Sequence, residues 1–398
     1  MPRFNPATQE KSLLCLLICM VMLGPFSVDA YLPLMPQIAD DLKAPDAVIQ
    51  FTVGGFLIGT ALGPLFAGPL SDAVGRRLVV LVGVLVFAIC AVGGATVQSG
   101  EALVTWRIVQ SVAGASAFVA GLALMSDLYD PETLAKRTSL VMVFVSVAPM
   151  IAPIFGAWLA SVSDWRSIFW VLSVAGALIY AVALFRLPET LPAAAREPVR
   201  PANLARGYLS TLSNTNAVFY VMASVGMSGA FFAFLAGSPF LYIDFFGLNP
   251  QQYAWVFAAG AALAILGNII NIQMVARIGF RGALVAQGLL AMVLGALLIA
   301  GCFGLTGRWA IFAAGLLIMP VQHVITANSN AGVMAQFDAR RGLANSVALS
   351  ARYSSGAFAV WLVGVYGHGP ERFGLILFTF LALGGIFAQL AVRRERTQ

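Results

Sequence analysis

Apolar residues run almost without interruption over long stretches of this chain, and charged or Pro/Gly-rich clusters separate them. The runs fall at 12–36, 48–70, 78–97, 102–125, 139–160 and 167–187. After a polar gap they resume at 217–243, 251–275, 283–304, 309–335, 343–366 and 373–391. A helix that crosses a bilayer needs ~20 consecutive apolar residues. No run alternates apolar and polar positions with period two, as the strands of a membrane barrel would. Backbone in lipid must also satisfy its own hydrogen bonds, which a helix does within itself. The pattern predicts an all-α integral membrane protein of twelve transmembrane helices, grouped as six, a linker and six.

Composition agrees. The chain is 60% hydrophobic and 10% charged, with a mean hydropathy of +0.88, whereas a soluble domain carries roughly 25% charged residues. That excludes a water-soluble globule, and the abundance of apolar residues excludes disorder. The net charge of +6 implies no nucleic-acid partner, because Lys and Arg in a membrane protein mark the loops kept in the cytoplasm. With the N-terminus inside, seventeen basic residues fall in inner segments and four (Lys43, Arg166, Arg308 and Arg372) in outer loops. Both termini are therefore expected in the cytoplasm. The first run ends near Asp29 and continues toward Pro36, so it reads as a span and not as a cleaved leader.

The segment 187–208, LPETLPAAAREPVRPANLARGY, is rich in Pro, Ala and Arg and has no apolar face. It predicts an N-terminal six-helix bundle over 1–187, a cytoplasmic linker over 188–215, and a C-terminal six-helix bundle over 216–398. Cys15, Cys19, Cys90 and Cys302 lie in or at the ends of apolar runs. None has metal-ligand spacing, so they read as small packing residues and no metal is expected.

Residues 68–77, GPLSDAVGRR, join the second and third spans and exceed what a generic basic loop requires. Gly68 and Gly75 bracket a tight turn that holds one acid, Asp72, and two bases, Arg76 and Arg77. The loop between the eighth and ninth spans contains VARIGFRG and reads as a decayed copy without the acid. The first segment resembles the signature between helices two and three of the major facilitator superfamily, built from two related six-helix halves. That resemblance implies that Asp72 helps close the cytoplasmic face. It would do so partly by facing the N-terminal end of the eleventh span, near Gly342, where an anion is favourable.

Other stretches are similar to the Bcr/CflA subfamily of drug:proton antiporters. They are Asp29-Ala-Tyr31-Leu-Pro33-Leu-Met-Pro36 in the first span, Arg107-Ile-Val-Gln110 in the fourth, and Ala148-Pro149-Met-Ile-Ala-Pro153-Ile-Phe-Gly156 in the fifth. Trp165-Arg-Ser-Ile-Phe169, Pro188-Glu-Thr-Leu191 and Gly237-Ser-Pro239-Phe-Leu-Tyr242 fit the same pattern. The likeness covers essentially the whole chain. It departs at Ser111 and Ala152, where these motifs often carry glycine, and at Val21, where some multidrug relatives carry a second membrane acid.

Ionisable residues inside a membrane are costly and mark function. Asp29, Arg107, His323 and Arg352 are the four candidates, and Asp29 is the only carboxylate in the middle of a span. Counted from the membrane surface, Asp29 and Arg107 lie at similar depth on spans that line the central cavity in the superfamily. They form either a proton-coupling, substrate-binding pair or a static lock. Because arginine keeps its proton, Asp29 would carry any exchange, releasing Arg107 when protonated.

Arg352, in the eleventh span, either bonds neighbouring helices or contacts an electronegative substrate. His323, in the tenth, either packs or hydrogen-bonds substrate. Pro149, Pro153 and Gly156 bend the fifth span and open its surface. The resemblance implies a rocking contact of that span with Gly260 and Gly267 in the eighth. Tyr31 and Phe234 are the aromatic residues expected to line an apolar drug pocket.

The resemblance, with these buried charges, implies a proton-coupled antiporter that exports small amphipathic drugs, phenicol-like or other antibiotics, by alternating access. An exporter of this type is expected as a monomer in the bacterial inner membrane. The alternative is a carrier for a metabolite such as a nucleoside, sugar or amino acid. A channel would need a filter of carbonyls or charged rings, and an enzyme would need converging nucleophile, base or metal ligands; neither is present in the sequence. No Gly-rich Lys-Ser/Thr phosphate loop is present either, so no cofactor is expected and a proton gradient is the expected energy source.

Overall fold

The computed structural model of this protein describes residues 6–196, 211–305, 308–337, 341–367 and 369–396. Its helices are α1 (Pro6–Asp29), α2 (Met35–Leu42), α3 (Asp46–Val74), α4 (Arg76–Thr96), α5 (Gly100–Leu128), α6 (Pro131–Val162) and α7 (Arg166–Arg186). They continue as α8 (Thr215–Pro239), α9 (Pro250–Cys302), α10 (Arg308–Ala335), α11 (Arg341–Tyr366) and α12 (Pro370–Arg396). A 3-10 turn at Leu32–Leu34 joins α1 to α2, and a π-helical turn at Phe240–Phe245 follows α8.

Local chemistry sets the helix starts. Ser99 caps α5 by accepting from the Ala102 N–H, and Asn214 caps α8 by accepting from Ala217. Asn249 and Gln252 form a reciprocal capping box at α9, followed by Pro250 in the first turn. Asp130 caps α6 by accepting the N–H groups of Thr133 and Glu132, both at 3.1 Å. Those bonds, that from Thr133 foremost, hold its carboxyl below the usual carboxylate range.

Helix α9 spans 53 residues but is broken at Gly279 (φ 70°, ψ 165°). Asn271 and Gln287 flank the break and are joined side chain to side chain at 2.7 Å. Sixteen residues of straight helix would separate them by ~24 Å. The limbs 250–278 and 280–302 therefore fold back on each other.

Among the described residues, ten helical stretches are long and apolar enough to cross a bilayer, and folded-back α9 counts once among them. Helix α11 is long enough but falls short in apolarity, because it carries Asn345, Ser346, Ser350, Arg352, Ser354 and Ser355. Large apolar side chains such as Phe185 (78% exposed), Ile272 (69%) and Leu178 (63%) point outward. An outer face of this kind suits lipid and not water. This is a multi-pass membrane protein.

The chain divides into two compact units, one of residues 1–45 with 55–200 and the other of 46–54 with 201–398. In the first, α4 packs on α5 and α7, and α1 packs on α5, α6 and α7. In the second, α8 packs on α10, α11 and α12, and α9 packs on α10 and α12. Residues 197–210 of the expected linker, and His368 of an expected outer loop, lie outside the described residues. Cys90 and Cys302 are buried as anticipated, whereas Cys15 and Cys19 lie on an exposed face of α1.

Candidate functional site

Asp29 is the last residue of α1 and is 7% exposed. It makes no ion pair and no side-chain hydrogen bond among the described residues, so the anticipated pairing with Arg107 is not formed. Arg107, on α5, is fully buried and held by other groups. Its Nη1 donates to Ser27 Oγ and to Gln110 Oε1 (2.7 Å), and its Nη2 donates to the Ser27 carbonyl (2.7 Å). The guanidinium also lies over the rings of Phe56, Tyr31 and Phe169, at 4.4, 5.0 and 5.9 Å from their centroids. Neutral oxygens and π-faces thus offset the buried cation, and only its Nε is left buried and unpartnered. Tyr31 is completely buried between Arg107 and Phe169.

Asp29 therefore sits between two interhelical contacts. Ser27, two residues earlier, ties α1 to α5 through Arg107. Ala30, one residue later, touches α6, because a Cβ added to Gly156 would lie 1.8 Å from the Ala30 carbonyl oxygen. Pro149 and Pro153 lie within α6, about two turns and one turn before this contact. In the second unit, Gly260 and Gly267 face Met319 and Pro320 of α10. Glycine permits close approach wherever a neighbour supplies backbone or a bulky side chain. The departure at Ser111 is compensated in the same way, since a Cβ on Gly59 of α3 would lie 1.9 Å from Ser111 Oγ.

At the α3–α4 turn, Gly75 adopts φ +110°, where an L side chain is strained, and a Cβ there would sit 2.4 Å from Glu189 Oε2. Arg76 bridges Asp72 (2.5 Å) and Asp127 (3.2 Å) and donates to Ser71 Oγ (2.8 Å). Its backbone N–H donates to Glu189 Oε1 at 3.1 Å, so a carboxylate caps the N-terminus of α4. Thr190 donates to Asp127 at 2.7 Å, and Arg77 donates to the Leu184 carbonyl at 2.6 Å. The turn is thereby tied to the ends of α5 and α7. The chain before α11, toward which the sequence points Asp72, includes residues 338–340, outside the described residues. A Cβ on Gly68 would meet nothing within 4 Å.

Arg76→Ala should lower stability by about 1–3 kcal/mol, because Asp127 and Ser71 lose a charged donor. Arg77→Ala should cost less, since Arg77 reaches a single carbonyl. Thermal unfolding of the two purified variants checks the order.

Residues 275–282 of the second unit lack an acid, and their Arg281 takes one from a distant helix. Glu395, near the end of α12, accepts from Arg281 Nε (2.5 Å), Tyr220 Oη (2.8 Å) and Gln336 Nε2 (2.5 Å). Deeper in this unit, Asn271, Gln287 and Asn328 form a closed amide triangle with sides of 2.7, 2.8 and 2.8 Å. It joins both limbs of α9 to α10.

Arg352, 8% exposed on α11, donates to Asn330 Oδ1 at 3.0 Å. His323 Nδ1 lies 2.9 Å from the Met319 carbonyl. Phe234 is 5% exposed and stands edge-on to Tyr242, with ring centroids 6.2 Å apart. The adjoining cavity measures about 10 Å³, room for a single water. Phe234 thus packs beside a water-sized void within its own unit.

Ser27, Asn271, Gln287 and Glu395 were not singled out from the sequence. For Asn271 and Gln287 a signal was present, because an amide inside an apolar run must find a partner. Ser27 and Glu395 gave none: a serine in a span and a glutamate at a chain end are both unremarkable alone.

A family model described as Major Facilitator Superfamily matches residues 17–360. A bicyclomycin resistance protein homolog of Haemophilus influenzae is 31% identical over 342 residues, 86% of each chain. Multidrug resistance protein MdtL of Escherichia coli is 25% identical over 362 residues, 89% of each chain. Among solved structures, that of the nucleoside transporter NupG superimposes with a TM-score of 0.71 at 15% identity, covering 98% of this chain and 100% of that one.

Proposed function

This chain belongs to the major facilitator superfamily, in its Bcr/CflA-type branch, and on that footing we propose that it exports small amphipathic drugs in exchange for protons. The likeness to resistance proteins over most of the chain favours drug export over metabolite carriage. The nucleoside transporter shares only the fold, which does not carry a substrate across. The reading takes twelve spans, with folded-back α9 supplying two and α11 supplying the polar one. Both termini lie in the cytoplasm, and a six-helix bundle over 1–187 is joined by a linker over 188–215 to a second over 216–398. The protein works as a monomer in the bacterial inner membrane, is no enzyme, and uses no cofactor beyond the proton gradient.

One observation carries the proton coupling: Asp29 is a buried carboxyl without a counterion among the described residues. A carboxylate taken out of water costs free energy unless it is paired, and a proton on Asp29 removes that cost. Arg107 has its own partners, so protonation need not break an ion pair. The coupling passes through α1 instead. Charging or discharging Asp29 biases the stretch between Ser27, which holds α5 through Arg107, and Ala30, which abuts α6 at Gly156. Arg107 and Tyr31 then act as positioning residues for α1. Phe234 stays packed until its helix moves, and Asp72, Arg76 and Arg77 brace the cytoplasmic turn during the cycle.

The test is proton release. In liposomes holding the purified protein and a trapped pH dye, chloramphenicol or bicyclomycin should drive protons across the membrane. Cells expressing the protein should survive higher doses of the same compound. Transport of neither drug, alongside saturable uptake of a nucleoside or sugar, would establish the metabolite reading instead.

A further inference from the structure

Arg352 is the second buried cation among the described residues, and its surroundings differ from those of Arg107. Its single hydrogen bond goes to Asn330 Oδ1, and it makes no ion pair among the described residues. The described acids of its unit, Asp46, Asp244, Glu371 and Glu395, all lie at helix ends or in the turn after α8. Arg107 Nε is sealed from solvent without a partner, whereas no nitrogen of Arg352 is sealed in that way. Its Nε and Nη2 are thus left to be met from outside the protein.

A strip of half-buried side chains continues from this cation. Tyr353, next in sequence, stands 5.7 Å from Phe232 by ring centroids, Phe232 stands 5.0 Å from Phe231, and Phe231 stands 6.4 Å from His323. His323 and Asn330 are two turns apart on one face of α10, ~10 Å along the helix. The Met319 carbonyl can only accept, so His323 Nδ1 carries the proton. In the neutral ring, Nε2 is then an acceptor. The order along the strip is cation, aromatic wall, acceptor.

We infer that this strip is the cargo-recognition surface of the C-terminal unit and that it selects anionic amphipaths. A carboxylate, sulfonate or phosphate ester binds Arg352, an aromatic body lies on Phe231, Phe232 and Tyr353, and a hydroxyl or N–H about 10 Å away donates to His323. A cationic cargo would meet Arg352 with no carboxylate of this strip to offset the repulsion. The inference rests on the export reading above and deepens it by giving the cargo a charge.

The test uses full-length protein in lipid nanodiscs and isothermal titration with three matched probes: para-hydroxyphenylbutyrate, its amide and the corresponding amine. The carboxylate should bind at least ~10-fold more tightly than the amide, and the amine most weakly. Arg352→Gln should erase that order and Arg352→Lys should keep most of it. Removing the probe's hydroxyl should weaken binding to the wild type but not to His323→Ala. If Arg352→Gln fails to fold, Asn330→Ala, which keeps the cation but removes its anchor, should still narrow the gap between carboxylate and amide.

Equal or tighter binding of the amine, a charge preference that survives Arg352→Gln, or no binding of any probe would each overturn the inference. The export reading is decided separately, by the liposome assay with chloramphenicol and bicyclomycin.

Discussion

Asp29→Asn should leave a folded, membrane-inserted protein whose drug-driven proton release falls at least ~100-fold, the scale on which a positioned proton-transferring side chain contributes. The argument has two parts. Stability should change by less than about 1 kcal/mol, because Asp29 has no side-chain partner to lose among the described residues and asparagine has nearly its shape. Coupling should vanish, because an amide neither binds nor releases a proton in the working range and mimics the protonated carboxyl permanently. Asp29→Glu, which keeps the titrating group but lengthens the chain, should retain part of the activity. Binding of drug should survive in Asp29→Asn, so the loss is one of turnover. Undiminished proton release from Asp29→Asn liposomes would remove Asp29 from the mechanism and leave the static reading of this region.

The second large effect is expected at Gly156. An added methyl would fall 1.8 Å from the Ala30 carbonyl oxygen and 2.6 Å from its carbon. Both are backbone atoms and cannot rotate away. Gly156→Ala must therefore push α6 from α1, at a cost of about 1–3 kcal/mol typical of overpacking, and must displace the chain beside Asp29. Thermal unfolding and proton release should both decline. Gly260→Ala is the control, because its nearest neighbour is Met319 Sδ at 3.1 Å, the yielding part of a flexible side chain. A Gly156→Ala protein as stable and as active as Gly260→Ala would show that α1 and α6 separate without consequence.

The two positions also show how differently parts of the molecule could be read. Asp29 was legible as a lone acid in an apolar run, because lipid makes every such residue conspicuous. The Gly68–Arg77 turn was legible because two glycines bracketing one acid and two bases rarely coincide by chance. Gly156 was legible as an opening in a helix surface, but the helix that fills the opening was not.

The partners of Arg107 are hidden from the sequence for the same reason. Equal depth in the membrane suggested Asp29, yet hydrogen bonding also depends on how each helix is rotated about its axis. That rotation turns Ser27 and Gln110 toward the guanidinium. Glu395 lies 114 residues from Arg281, and nothing local to either announces the other.

The sequence by itself determined the class of protein, the apolar helices and the breaks between them, and the short set of charges available for chemistry. A hydrocarbon solvent enforces those features residue by residue along the chain. Only the tertiary structure decided which of the charges are occupied. Among the described residues, Arg107 is held by neutral oxygens and rings, Arg352 bonds only Asn330, and Asp29 has no counterion, because contacts between helices far apart in sequence depend on packing and not on periodicity.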